Sequence, residues 1–286
     1  MQVMSDKTLH LHLVSDSTGE TVHQVTRAAI AQFNNVTISE HIWTLVRTPA
    51  HVETIGMAIK RNPGILIYSV VDGDTRIQIE NICRQAGIPS ISVLDPLVTL
   101  LTSVLGYEGS GRPGRQHKMD NAYFERMAAV EFAVNHDDGI NMERLAEAQI
   151  LLVGVSRTSK TPTAMYLANR GYRVANYALV PHVAFPLKYV EGKTSLFIVG
   201  LTTDAKRLLQ VRRNRLQHLS DNSNESYADF DSINDELTTA RKLFSSQGWP
   251  VLDVSRRSVE ETAAAIIHLH SHWIEEQIQK NAELES

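Results

Sequence analysis

The residues Gly154-Val155-Ser156-Arg157-Thr158-Ser159-Lys160-Thr161 follow the spacing G-x-x-x-x-G-K-[ST] at every fixed position but one, where Ser159 stands in place of the second glycine. A loop of this kind wraps backbone N–H groups around a phosphate, aims a helix N-terminus at it, and adds a lysine charge and a hydroxyl able to ligate Mg²⁺. The chemistry it points to is nucleotide or phosphate binding, with Lys160 and Arg157 as charged donors and Thr161 as a metal-ligand candidate. Ser159 works against the pattern, because glycine permits positive φ and close phosphate approach, although a serine hydroxyl offers a donor of its own. The competing reading is an ordinary strand-to-helix turn with Lys160 and Thr161 in solvent. The flanks favour phosphate: residues 150–153 are an apolar run of strand type, and 161–170 have helix-forming composition with Pro162 in the first turn, where a missing N–H costs nothing.

Phosphoryl transfer to a hydroxyl also needs a proton acceptor, and three carboxylates are candidates. Asp137 and Asp138 follow a predicted helix over 120–135, in His136-Asp137-Asp138-Gly139, where acidic side chains oppose the helix dipole. One reading makes Asp138 the first-ranked base and Asp137 a Mg²⁺ ligand beside Thr161; the other makes the pair an acidic turn closed by Gly139. Asp16 is the third candidate. It lies in Ser15-Asp16-Ser17-Thr18-Gly19-Glu20-Thr21, at a strand end where open α/β sheets bind ligands, though Ser17 and Glu20 also have capping-box spacing. Gly106, Gly109, Gly111 and Gly114 punctuate Arg112, Arg115, His117 and Lys118, which reads either as a domain junction or as a basic lid over phosphate. Thr202-Thr203-Asp204 is a poor relative of the carboxylate that assists Mg²⁺ in other phosphate-loop proteins.

The elements that must hold these residues alternate. Strands are predicted near 9–13, 36–45, 65–71, 90–94, 150–153, 173–179, 194–201 and 251–254, with helices between them at 49–61, 74–86, 96–105, 204–218 and 233–247, and a closing helix from Ser258. This alternation predicts an α/β fold of mostly parallel sheets flanked by helices, with an N-terminal doubly wound domain (1–106) and a C-terminal phosphate-loop domain (107–286). The helix over 204–218 carries Arg207, Arg212, Arg213 and Arg215, read as a solvated basic face or otherwise as a protein-docking or phosphate-contacting surface.

Composition narrows the classes. With 43% hydrophobic and 21% charged residues the chain of 286 residues is an ordinary globular protein, and a net charge of -4 gives no electrostatic case for nucleic acid. Cys83 stands alone, which excludes an internal disulfide and suits a reducing compartment. No apolar run reaches membrane-spanning length and the first residues lack a signal-peptide core, so the expected location is the cytoplasm, without membrane attachment. His10 and His12 alternate with leucines along the first strand, and His268 and His272 share a helical face; structural histidines are favoured over a metal site at both places.

Taken together, Ser15-Asp16-Ser17-Thr18-Gly19-Glu20-Thr21, Arg112-Pro113-Gly114, His136-Asp137-Asp138-Gly139, the loop from Gly154 to Pro162 and Val174-Ala175-Asn176-Tyr177 resemble the bacterial and plant regulatory proteins of pyruvate, phosphate dikinase and phosphoenolpyruvate synthase. The form of the first motif is closer to the pyruvate, phosphate dikinase branch. The resemblance implies a bifunctional enzyme that phosphorylates a threonine of its target with ADP as donor, releasing AMP, and removes that phosphate with inorganic phosphate, releasing pyrophosphate. It implies a nucleotide site at Gly154–Thr161, that is Gly154, Val155, Ser156, Arg157, Thr158, Ser159, Lys160 and Thr161, and a dikinase as protein partner; a homodimer is the expectation for a chain acting on symmetric oligomers. Two rivals stay open from the residues alone: a phosphate-loop kinase or ATPase for a small molecule, and a nucleotide sensor without turnover.

Overall fold

The computed structural model describes residues 8–114, 121–219 and 225–284. Arg115, His117, Lys118, Asp120 and the polar loop from Asp221 therefore lie outside the described residues. The chain divides into two compact units, Met1–Lys118 and Met119–Ser286. Residues 107–114 lie with the first of them: a Cβ added to Gly111 would meet the Val71 carbonyl, and one added to Gly114 would meet Ser17 Oγ.

In the first unit the order is β1 (Leu9–Ser15), α1 (Glu20–Ile30), β2 (Ile38–Trp43), α2 (Pro49–Arg61), β3 (Gly64–Ser69), α3 (Gly73–Ala86), β4 (Ser90–Ser92) and α4 (Asp95–Leu105). The strands are all parallel, in the order β2-β1-β3-β4. The chain steps from β1 to one side, then crosses back to the other, so the strand order reverses between β1 and β3. Both sheet faces are covered: Leu11 and Leu13 meet Val22 of α1, while Val14 and Leu66 meet Ile55 and Ile59 of α2 and Ile79 and Cys83 of α3. That is the doubly wound arrangement the alternation predicts. Burial also settles Cys83, whose thiol is pushed up to about 11 and is no nucleophile.

The second unit repeats the plan. After α5 (Asn121–Asn135) come β5 (Ile150–Val155), α6 (Lys160–Ala168), β6 (Val174–Leu179), β7 (Phe197–Thr202), α7 (Ala205–Leu219), α8 (Phe230–Ser246), β8 (Val251–Asp253) and α9 (Val259–Leu284). The parallel order β6-β5-β7-β8 matches the first sheet rank for rank. Every residue of β5 is buried, as a central strand covered on both faces requires.

Local chemistry explains most helix starts. Thr48 caps α2 ahead of Pro49, Asp72 caps α3 by accepting from the Thr75 amide, and Ser258 and Glu261 form the reciprocal capping box that starts α9. The box expected from Ser17 and Glu20 does not form. Gly19 takes the N-cap position of α1 at φ 82°, the Ser17 amide donates to Ser15 Oγ, and Glu20 accepts from Gln24 instead. The histidines of β1 sit on a central strand, not an edge: His12 is fully buried and bonds the Asn62 carbonyl, and His10 bonds His41. Among the described residues no group of His, Cys, Asp and Glu is arranged to hold a metal ion.

The tightest backbone approach in the first sheet is at Gly64, where a Cβ would fall 1.9 Å from the His10 carbonyl oxygen. Gly64→Ala is expected to cost at least about 1–3 kcal/mol through forced separation of β1 and β3, measured as a lowered midpoint in chemical denaturation.

Candidate active site

The phosphate-loop segment leaves the carboxyl end of β5, at the position where the second sheet reverses its strand order. Gly154 and Val155 belong to the strand itself. A Cβ at Gly154 would come within 2.7 Å of both the Leu201 carbonyl and Thr158 Oγ1, so glycine is needed there for the close approach of β7 and the loop. The Val155 carbonyl organises the turn, accepting from Thr158 Oγ1 at 3.0 Å and from Lys160 Nζ at 3.1 Å. Arg157 and Ser159 both have left-handed backbone, at φ 73° and 58°. Ser159 thus adopts the conformation that the second glycine of the pattern would supply, at a cost of about 1–2 kcal/mol to an L-residue.

Lys160 is 4% exposed although it carries the site's central charge. Burial pushes its ammonium down to about 8, against the opposing pull of Asp138 and Asp137. Asp138 Oδ1 lies 3.9 Å from Lys160 Nζ. Asp137 Oδ1 accepts from Thr161 Oγ1 at 2.8 Å and from Asn176 Nδ2 at 2.6 Å. The two carboxylates and the loop, separated in sequence, are therefore one constellation. Asp137–Gly139 is a short 3-10 turn after α5, with Asp138 strained to φ 47°. Asn176 of β6 holds it in place, since its Oδ1 accepts from the Asp138 amide and its own amide donates to the His136 carbonyl.

Beneath the loop lies a second set of contacts. Arg212, predicted to belong to a solvated basic face, is in fact 1% exposed, while Arg207, Arg213 and Arg215 are exposed. Its guanidinium donates to both Glu236 oxygens at 2.9 and 2.8 Å, to the Tyr227 carbonyl at 3.1 Å and to the Ser156 carbonyl at 3.4 Å, and stacks over the Tyr227 ring. The Tyr227 hydroxyl lies 3.3 Å from Ser156 Oγ and accepts from Arg157 Nε at 3.4 Å. Asp204 is elsewhere engaged: its carboxylate caps α7 by accepting from the Lys206 and Arg207 amides. Asp16 belongs to the first unit, where Oδ2 accepts from the Val71 and Asp72 amides and ties the ends of β1 and β3 together.

The profile of a family described as kinase/pyrophosphorylase matches residues 11–267. The chain belongs to that family. Among the relatives of this kinase/pyrophosphorylase, proteins provisionally named pyruvate, phosphate dikinase regulatory protein are 49% identical in Erythrobacter litoralis, over 93% of this chain and 95% of the relative. The same name is carried by a Rhizorhabdus wittichii protein 49% identical over 91% and 95% of the two chains, and by one from Paramagnetospirillum magneticum, 49% identical over 94% and 86%. The enzyme is accordingly of kinase and phosphorylase type. No helix among the described residues is long and apolar enough to cross a membrane.

Two substitutions probe the supports. Removing one member of the buried Arg212–Glu236 pair strands the other, so Arg212→Ala is expected to destabilise the fold by about 3–5 kcal/mol in denaturant titration. Asn176→Ala removes donors and acceptors around Asp137 and Asp138; a loss of about 1–3 kcal/mol is expected by the same measurement.

Proposed function

We propose that this kinase/pyrophosphorylase inactivates pyruvate, phosphate dikinase by phosphorylating a threonine with ADP and reactivates it by phosphorolysis, with the loop from Gly154 to Thr161 as one cradle for both reactions. The observation that carries this reading is the convergence of Lys160, Thr161, Asp137 and Asp138 at one strand end, together with the name its relatives bear. The terminal phosphate of ADP is its β-phosphate, so Lys160 and the loop amides contact the group in transfer and stabilise its equatorial oxygens. Arg157 adds charge from the loop, its guanidinium steadied by Tyr227.

In the forward reaction the threonine hydroxyl attacks the β-phosphorus, the bond to the α-phosphate oxygen breaks, and AMP departs. Asp138, 58% exposed and held by no hydrogen bond to its carboxylate among the described residues, takes the hydroxyl proton. In the reverse duty an oxygen of inorganic phosphate attacks the phosphothreonine phosphorus; pyrophosphate forms and the proton returns to the threonine oxygen. Asp137 is already bonded to Thr161 and serves otherwise. The 2.8 Å between Asp137 Oδ1 and Thr161 Oγ1 matches the roughly 2.9 Å between neighbouring ligands of a Mg²⁺ ion with bonds of about 2.0–2.1 Å. These two oxygens would hold Mg²⁺, which neutralises phosphoryl charge; a site completed by phosphate and water needs no third acidic residue.

The deciding experiment is incubation of a pyruvate, phosphate dikinase with this protein and ADP, then with phosphate. Phosphothreonine with AMP, followed by pyrophosphate, is expected; in parallel incubations with ADP and with ATP, consumption of ATP alone, without phosphothreonine, would overturn the reading. Lys160→Ala is expected to abolish both reactions, and surviving pyrophosphate formation would refute the shared cradle. Asp138→Asn should slow the kinase step by about 10²–10⁴-fold with ADP affinity little changed.

The lysine also sets a pH dependence. Its free-state value near 8 means that above pH 8 the ammonium must regain a proton to hold an anion. ADP affinity should therefore fall by up to about tenfold per pH unit above 8, with proton uptake in calorimetry across buffers.

A further inference from the structure

The second unit carries a cavity of about 240 Å³ at the amino ends of β7 and β8, the opposite end of the sheet from the phosphate loop. Nothing in the reaction proposed above uses it. Its walls include two half-buried indoles, one from each face of the sheet. Trp249 packs on Phe185 and Phe244 in one core, and Trp273 packs on Phe197 in the other. Each indole is thus fixed by rings of the interior.

The edge of β7 is open at this cavity. β8 begins at Val251, opposite Gly200, and so stops short of the amino end of its neighbour. Alternate residues of a central parallel strand turn their backbone groups to opposite neighbours. Phe197 donates towards β5, to the Gln149 carbonyl, and Gly200 donates the other way, to the Pro250 carbonyl. Ile198, in the cavity wall, faces the same way as Gly200. The residue placed to donate to its carbonyl is Pro250, which has no N–H. Neither the amide nor the carbonyl of Ile198 has a partner among the described residues. Two charges stand beside this bare pair of backbone groups. Glu191 is exposed and Lys193 half-buried, and neither is ion-paired with the other or with any described residue.

We infer that this cavity binds a free aromatic α-amino acid. The ligand lies against Ile198 as a strand of one residue. Its carboxylate accepts from the Ile198 amide and Lys193, its ammonium donates to the Ile198 carbonyl and Glu191, and its ring stacks with the indoles. Charge complementarity selects the zwitterion: a ligand with one charge leaves Lys193 or Glu191 unanswered, and a blocked peptide leaves both. The volume lies just under the roughly 300 Å³ at which pockets for drug-sized ligands begin, which suits a single amino acid. The assignment does not depend on the reading of the phosphate loop.

NMR of the full-length protein tests it, because the chain has three tryptophans and the third, Trp43, lies in the first unit and serves as internal reference. L-phenylalanine and L-tryptophan are titrated at constant pH and ionic strength, beside 3-phenylpropanoate, 2-phenylethylamine and N-acetyl-L-phenylalaninamide. Saturable shifts of the Trp249 and Trp273 indole N–H signals and of the Ile198 amide are expected with at least one amino acid, while Trp43 stays in place. Each of the other three probes should bind about tenfold or more weakly than that amino acid, and Lys193→Gln or Glu191→Gln should weaken the amino acid by a similar factor. Absence of saturable shifts with both amino acids, equal movement of Trp43, or affinity unchanged in both variants overturns the proposal. So does equal binding of a singly charged probe, which leaves only an apolar slot, or of the blocked amide, which assigns the edge to a peptide segment.

Discussion

A buried ammonium constrains the second unit more than any other group. Lys160 is taken out of water at the start of a helix, where the dipole already disfavours a cation, and two carboxylates and a carbonyl oppose that penalty. Each compensating group makes a demand of its own. The Val155 carbonyl can face the lysine only if the loop turns through left-handed residues, and the carboxylates can reach it only if the chain before β5 is bent into a strained turn and pinned to β6. The strain at Asp138, the burial of Asn176 and the curl of the loop are consequences of one charge placement.

The arginine below the loop meets the same problem differently. Arg212 is nearly inaccessible, and a bidentate carboxylate with a tyrosine face offsets its loss of water. Its bonds to the Ser156 and Tyr227 carbonyls make it a brace between the loop and the turn Glu225–Ala228. A rigid floor of this kind keeps the cradle's amides in place without a ligand, which is what electrostatic preorganisation requires.

The sheets, their helices and the loop are legible in the sequence because they rest on local signals: apolar runs, fixed spacing, caps such as Thr48 and Ser258. The aspartate pair is legible as a conflict with the dipole of the helix before it. What escapes are the partners that arrive from afar. Asn176 meets Asp137 across 39 residues, Tyr227 meets Ser156 across 71, and Arg212 meets Glu236 across 24. Their only local traces are a polar residue inside an apolar strand and an arginine one turn from buried Leu208. Ser17 and Glu20 mislead for a related reason: the spacing is right, but a neighbouring glycine offers the backbone a sharper turn.

The left-handed backbone at Ser159 has an evolutionary corollary. A change to glycine at that position relaxes the main chain, whereas valine or isoleucine would be opposed by the steric clash of a branched side chain in that geometry. The cost of substitution there is thus one-sided, and the fold constrains a torsion angle more than the identity of an amino acid.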